Sequence, residues 1–207
     1  SPSLRVGRLI PPSGAAGGDG SGAHSDVVRT SSAGASTSAR WPQATGFIAN
    51  HAGFAGARCA GHINYRPEAD GQVRHLPPFV RWEGVDFPAF SIAMLQCAGA
   101  LALSGASTAD GGAPHRARSL RLPPLAPVPL TRDGDWRIPW TRAVGAFAVI
   151  PAAEVLDGSA PPDLLRGALV LVGSSSLGLS DLVGTPVSSA LPGVMVHAQA
   201  LSWLLDQ

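Results

Sequence analysis

The sequence predicts an α/β fold, a mixed sheet of hairpins with packed helices that ends in a buried β-loop-α unit. Three observations support this prediction. The chain has 207 residues, of which 45% are apolar, so it can bury a sizeable core. An Asp-Gly pair at 70–71 separates two segments of alternating character. The apolar run ALVLV at 168–172 leads into a serine-rich turn and an amphipathic C-terminal segment.

Composition divides the chain into a Gly/Ser/Ala-rich N-terminal segment, residues 1–40, and a domain over residues 41–207. Residues 11–40 have no apolar period, and the whole first segment is expected to be flexible. Residues 45–60 give a weak helix signal, since three glycines interrupt it. Residues 104–119 are expected to form a loose insertion within the domain.

The first well-defined element is a hairpin around RPEADGQ. Asp70-Gly71 supplies the positive-φ residue that a tight connection needs. Arg74 follows on the return strand, where its guanidinium could reach Asp70 or Glu68. These residues are therefore predicted to be structural.

The next elements alternate between helix and strand. Pro88 suits a first helical turn, so a helix is predicted over Ala89–Leu103. A second hairpin is predicted around RDGDW, with WRIPW as its return strand. Residues 146–150 predict a short strand, and PAAEVLDG predicts a short helix that ends at Gly158.

The last unit combines a buried strand with a closing helix. The continuous apolar run at 168–172 predicts a central strand covered on both faces. A helix is predicted from near Pro192, because four residues fall on one face of it at helical spacing. These residues are Val194, Ala198, Leu201 and Leu205.

Charge and cysteine content exclude several classes of protein. The net charge is +1 and all 15 basic residues are arginine, so no field attracts nucleic acid. Two uncharged stretches, 87–108 and 182–205, are long enough to span a bilayer, but their small residues favour helices packed on a sheet. Cys59 and Cys97 are too few for a disulfide scaffold, and the sequence leaves open whether they pair.

No metal or cofactor is predicted. His51, Cys59 and His62 lie close in sequence, but H-x7-C-x2-H lacks a fourth ligand and matches no zinc module, so chance co-occurrence is favoured. The segment GSSSLG has glycines only at its ends, which differs from a dinucleotide fingerprint.

The candidate site is the serine-rich exit of the 168–172 strand. Successive backbone N–H groups and hydroxyls could bind an anion, or the serines could cap the following segment, and capping is the favoured interpretation. Asp181 and Thr185 are expected to close the loop, and His197 is expected on the inward face of the last helix. The hypothetical ligand-binding set is Gly173, Ser174, Ser175, Ser176, Asp181, Thr185 and His197.

A serine hydrolase is the enzyme alternative. Ser176, Asp181 and His197 occur in the chain order of α/β-hydrolases. The nucleophile elbow G-x-S-x-G is absent, because Leu177 replaces the second glycine around Ser175 and Ser174 replaces the first around Ser176. The short spacing between these residues also disfavours a triad, so no catalytic residue is predicted.

Six segments in chain order resemble the CHASE-2 domain, the second type of cyclase- and histidine-kinase-associated sensory extracellular domain. They are GHINYRPEADGQVRHLP, FPAFSIAM, DGDWRIPW, AAEVLDG, ALVLVGSSSLGLSDLVGTPV and PGVMVHAQAL. The resemblance covers roughly residues 45–207 and is expected to represent the later portion of such a domain. It implies signal reception on the extracytoplasmic face of the membrane, for a histidine kinase, nucleotide cyclase or Ser/Thr kinase.

The leading hypothesis is therefore a non-catalytic sensory domain of a membrane-anchored parent. Its expected partner is an unknown small-molecule or protein signal, with no nucleic acid. A homodimer is also considered, and a plain dimerisation module is the third alternative.

Overall fold

The computed structural model describes residues 4–7, 41–46, 57, 59–109, 118–174 and 181–207. The strands are β1 (Leu4–Gly7), β2 (Arg66–Pro67), β3 (Val73–Leu76), β4 (Phe79–Trp82), β5 (Val85–Pro88), β6 (Ser107–Ala109), β7 (Ser119–Arg121), β8 (Val128–Pro129), β9 (Trp136–Arg137), β10 (Ala148–Ile150), β11 (Leu169–Val172), β12 (Leu182–Thr185) and β13 (Ser188–Pro192). The α-helices are α1 (Phe90–Cys97), α2 (Ala152–Leu156), α3 (Pro162–Leu165) and α4 (Val194–Leu205). The α/β prediction is confirmed.

The chain divides into two compact units. Unit 1 comprises Ser1–Ala15, Pro67–Arg74 and Ile138–Gln207, and unit 2 comprises Ala16–Arg66 and His75–Arg137.

A parallel sheet of order β10-β1-β11 forms the centre of unit 1. Val6 pairs with Val149 on one side and with Leu171 on the other. Helices α2 and α3 lie on the connection from β10 to β11. Parallel strands need a crossover of about a dozen residues or more, and this connection is long enough. The predicted strand at 146–150 and the predicted helix ending at Gly158 are both confirmed, and Gly158 has φ 79°.

The predicted strand at 168–172 is confirmed, but its predicted central position is wrong. Within the described part of the chain, β1 takes the centre and β11 lies at the edge. Leu171 is fully buried, whereas Val170 and Val172 are 37% and 40% exposed. The continuous apolar run therefore belongs to a strand that is well covered on one face only. Periodicity alone does not reveal how many neighbouring strands a strand has.

The expected flexibility of residues 1–40 does not hold for Leu4–Gly7, which form β1. Residues 8–40 lie outside the described residues. The strand was missed because its stability comes from pairing with residues more than 140 positions away, and four residues give little local signal.

Helix α4 closes unit 1 and confirms the prediction of a C-terminal helix. It begins after Gly193 and packs against β1, β11 and β13. Ala198 and Leu201 of the predicted face are fully buried, whereas Val194 and Leu205 are only half-buried, and burial extends around the helix from Met195 to Ser202. The hairpin β12–β13 precedes it, with Val183 opposite Leu191, in a region expected to be a loop.

The predicted Asp-Gly hairpin is also confirmed. Gly71 has φ 77°, and the Glu68 N–H donates to the Gln72 carbonyl at 2.9 Å. The hairpin tip reaches β12 within unit 1, where Gln72 forms an isolated bridge with Gly184.

Unit 2 contains a hairpin that was not predicted, β4–β5. Its two turn residues, Glu83 and Gly84, have φ values of 46° and 82°, the positive pair that a type I′ turn requires. Trp41 packs on Phe79 of β4 with a ring-centroid distance of 5.1 Å. Helix α1 follows directly, but it is shorter than the predicted Ala89–Leu103, since it ends before Gly99 with φ 73°.

The structure settles the pairing of the two cysteines. Cys59 and Cys97 form a disulfide with a Cα–Cα distance of 5.9 Å. It joins the end of α1 to a segment that already runs beside the start of that helix, because the His62 carbonyl accepts the Phe90 N–H at 2.8 Å. Gly61 is required there, since a Cβ would lie 2.8 Å from the Ala93 Cβ.

Part of the expected loose insertion at 104–119 is ordered as strand. β6 pairs with β7, and β7 pairs with β8, while residues 110–117 lie outside the described residues. The predicted RDGDW turn is present: Gly134 has φ 84°, and Leu130 bridges Trp136. The return strand β9 forms its main pairing with β3 rather than with its hairpin neighbour.

Among the described residues, no helix has the length and apolar character needed to cross a membrane. The two long uncharged stretches divide instead into shorter elements. Residues 87–108 include the end of β5, α1 and β6, and residues 182–205 include β12, β13 and α4.

Candidate functional site

The exit of β11 lies against the first turn of α4. A Cβ built on Gly173 would lie 2.6 Å from the Cβ of Val194, closer than real side chains approach. Gly173 is therefore required by close packing between strand and helix, a role that glycine fills because it lacks a side chain. The serine-rich loop thus begins at the N-terminus of α4.

The other end of the described loop returns to the same place. The Asp181 carbonyl accepts the Gly193 N–H at 2.7 Å. The Asp181 carboxyl group lies directly against Gly193, so that a Cβ at residue 193 would overlap Asp181 Oδ1 and lie 3.0 Å from Cγ. Asp181 closes the loop, as expected, although the hydrogen bond runs through its backbone carbonyl.

The position of Asp181 determines the electrostatics of this helix end. Helix N-termini carry a partial positive charge that stabilises a nearby carboxylate. Although much of Asp181 is exposed, its carboxyl group is partly withdrawn from water, and this desolvation raises the pKa of Asp181. Because the Asp181 carboxylate lies at the N-terminus of α4, it would repel an anionic ligand there when it is ionised.

The serines are only partly described. Ser174 has a buried hydroxyl oxygen with no hydrogen-bond partner among the described residues. The segment that Ser174 would cap follows it directly, and residues 175–180, which include Ser175 and Ser176, lie outside the described residues. Capping and ligand contact both stay predictions for these two serines.

Thr185 and His197 have different surroundings. The Thr185 hydroxyl donates to the Ser188 carbonyl at 3.0 Å and accepts the Ser188 N–H at 3.1 Å, which closes the β12–β13 turn. His197 is 3% exposed and lies one turn into α4. The predicted inward position of His197 is confirmed. The Thr185 side chain stabilises the β12–β13 turn.

The structural interpretation of Asp70, Gly71 and Arg74 is supported by a compact polar network. Arg74 Nη2 donates to Asp70 Oδ2 at 2.8 Å and to Gln72 Oε1 at 2.7 Å, and Nη1 pairs with Glu68. The hydrogen bond from Arg74 lowers the pKa of Asp70. The guanidinium thus reaches both carboxylates that the sequence offered as alternatives.

Unit 2 contains a buried carboxylate that sequence reasoning did not single out. Asp135 is 3% exposed, and its Oδ2 lies 3.2 Å from Arg66 Nη1, while Oδ1 has no hydrogen-bond partner among the described residues. Burial raises the pKa of Asp135, opposed by the positive charge of Arg66 and by His75.

A second set of contacts, at the far end of α4, was also missed. Arg142 contacts both Gln199 and Asp206, which are 57 and 64 residues away in sequence. No local motif marks such pairs. They can be found only once the segment that follows β9 is placed beside the helix.

The described ranges contain no group of three or more His, Cys, Asp or Glu side chains that could hold a metal ion. Cys59 is bonded to Cys97 and therefore offers no thiolate to zinc, and His51 lies outside those ranges.

Comparison with known families decides the class of domain. The family model of the CHASE2 domain matches residues 18–207. The chain belongs to the CHASE2 domain family. The match extends further toward the N-terminus than the resemblance from residue 45. No curated protein and no solved structure matches the chain. CHASE2 domains are extracellular sensory domains of receptors and are not catalytic, so the loop and helix described above belong to a sensory domain.

Proposed function

We propose that this CHASE2 domain receives a signal at the extracytoplasmic face of the membrane. The receptor that carries it is anchored in that membrane and has a histidine kinase, nucleotide cyclase or Ser/Thr kinase as its output. Family membership supports the sensory role. The Cys59–Cys97 disulfide supports the location, because disulfides form and persist in oxidising compartments.

The proposed binding region is the loop that joins β11 to β12, with the ligand-binding set predicted from the sequence. The observation that supports it is the return of both loop ends to the first turn of α4, at Gly173 and at Asp181. A small-molecule or protein signal that rearranges this loop therefore acts on the helix directly. Thr185 contributes by fixing the β12–β13 turn beside the loop.

Transmission follows from the position of α4. A ligand shifts an equilibrium between two arrangements only by its difference in affinity for them, about 1.4 kcal/mol for each tenfold change in population. In this proposal the two arrangements differ in how Gly173 and Asp181, the two ends of the loop, contact α4. The hydrolase alternative has no support from the family, and the homodimer stays a prediction.

The test displaces the helix without touching a hydroxyl group. Gly173→Ala places a Cβ against Val194, so it forces β11 and α4 apart. In a full-length receptor we expect signal-independent output to change, and we expect Gly173→Ala combined with Val194→Gly to restore it, because the second change removes the Val194 Cβ and both γ-methyl groups that obstruct residue 173.

Gly145→Ala is the matched control, since a Cβ there meets nothing within 4 Å. Output that stays normal in a folded Gly173→Ala receptor would contradict the proposed route through α4.

A further inference from the structure

The far end of α4 is tied to the segment that follows β9 by a buried amide pair. Gln199 is 1% exposed, and its side chain exchanges two hydrogen bonds with the backbone of Arg142. The Arg142 N–H donates to Gln199 Oε1 at 3.3 Å, and Gln199 Nε2 donates to the Arg142 carbonyl at 2.6 Å. The side-chain amide thus pairs with both backbone polar groups of one residue, as a residue on a neighbouring antiparallel strand would.

The Arg142 side chain adds a second tie at the last turn. Its Nη2 donates to both carboxylate oxygens of Asp206 at 2.8 Å. The C-terminal end of a helix carries a partial negative charge, which disfavours an acidic residue such as Asp206. No basic residue lies in the last turn of α4, so Arg142 brings the compensating positive charge from outside the helix.

We propose that Arg142 and Gln199 form a latch that holds α4 in the position seen here, and that α4 must break this latch to transmit a signal. The proposal rests on the proposed function for its role in signalling, but the latch itself is a property of the chain. It makes Arg142 and Gln199 positioning residues that set how readily the helix leaves its resting position.

The two ties differ in expected strength. The Arg142–Asp206 pair is nearly half exposed at both side chains, so solvent screens it and it contributes little. The Gln199 side chain is buried, so the loss of its hydrogen bonds to the Arg142 backbone is more costly. Gln199→Leu is therefore expected to raise the population of the released helix about tenfold or more, and Arg142→Ala is expected to raise it less.

The experiment measures the position of α4 within unit 1, without any ligand. Spin labels on Asp163→Cys and Gln207→Cys, two exposed sites in α3 and after α4, report the distance between them by pulsed electron paramagnetic resonance. We expect one distance in the otherwise unchanged chain and a second distance in Gln199→Leu. Ser202→Ala, which removes a buried hydroxyl from the same helix and spares the latch, is expected to keep one distance.

Arg142→Ala is the second variant, because an exposed arginine can be removed without unfolding the chain. A single unchanged distance in both latch variants overturns the proposal. A second distance that occurs equally in Ser202→Ala also overturns it, since any buried polar loss would then release the helix. These readouts do not depend on output, so a failed latch is distinguishable from a failed sensory route.

Discussion

Replacing Gly193 by alanine tests the contact that closes the loop. The backbone of Gly193 is helical, with φ −57° and ψ −29°, so alanine is intrinsically the better residue there by roughly 0.5–1 kcal/mol. The Asp181 carboxyl group opposes this gain, because the new Cβ would overlap Oδ1 and lie 3.1 Å from Oδ2.

The expected magnitude follows from these two effects. The obstructing atoms lie at the end of an exposed side chain, which can rotate away at an off-rotamer cost of about 0.5–1.5 kcal/mol. We therefore expect this cost to offset the helical preference, so that Gly193→Ala leaves the free energy of unfolding within about 0.5 kcal/mol of its original value. In an Asp181→Ala background the obstruction is absent, so the same change is expected to stabilise the chain by roughly 0.5–1 kcal/mol.

The assay is urea-induced unfolding of the four chains in this double-mutant cycle. The coupling between the two positions is expected to be about 0.5–1 kcal/mol, as for residues in direct contact. Gly145→Ala again supplies the control for a methyl group in open space. A Gly193→Ala chain that is stabilised equally with and without Asp181 would refute the reasoning.

Two further predictions concern unit 2. Reduction of the disulfide, which closes a separation of 38 residues, is expected to lower stability by about 4 kcal/mol on the chain-entropy estimate, measured as a fall in melting temperature. The reducing agent should have no further effect on a chain with both cysteines changed to serine. For Asp135, a pKa raised in the folded state means that the folded chain binds the proton more tightly than the unfolded chain. The stabilisation that Asp135 provides is therefore fully present at pH values below its unfolded pKa of 3.8. It is lost as the pH rises through the higher pKa of the folded state. The stability of the unchanged chain relative to Asp135→Asn should fall over that window, and a difference that rises with pH would contradict the assignment.

Local signals predicted the elements that depend on local chemistry. The Asp-Gly turn fixed the hairpin at 70–71 and placed Arg74 near its two carboxylates. The helical spacing identified α4 and the burial of Ala198, Leu201 and His197, although α4 is buried around most of its surface. In each case the decisive groups lie within a few residues of one another.

The remaining features depend on partners that are distant in sequence. The centre of the sheet is β1, whose four residues are stabilised by strands near residues 150 and 170. The reason for Gly173 and Gly193 is the space beside them, which Val194 and Asp181 fill. A sequence shows a glycine but does not show what stands against it.

The latch residues illustrate the same limit. Gln199 is one of three polar residues on a mainly apolar helix, and no complementary side chain in the sequence points to its role, because its partner is the backbone of Arg142. Likewise the two cysteines could be paired only after α1 and the 59–62 segment were placed side by side.

We propose that the contact between the β11–β12 loop and α4 sets the output of the receptor. The most direct test of this proposal measures the Asp163–Gln207 spin-label distance and the signalling output in the same full-length receptor carrying Gly173→Ala. We expect the distance and the output to change together, and both to return when Val194→Gly is added. A helix that moves while the output stays at its original level would contradict the account.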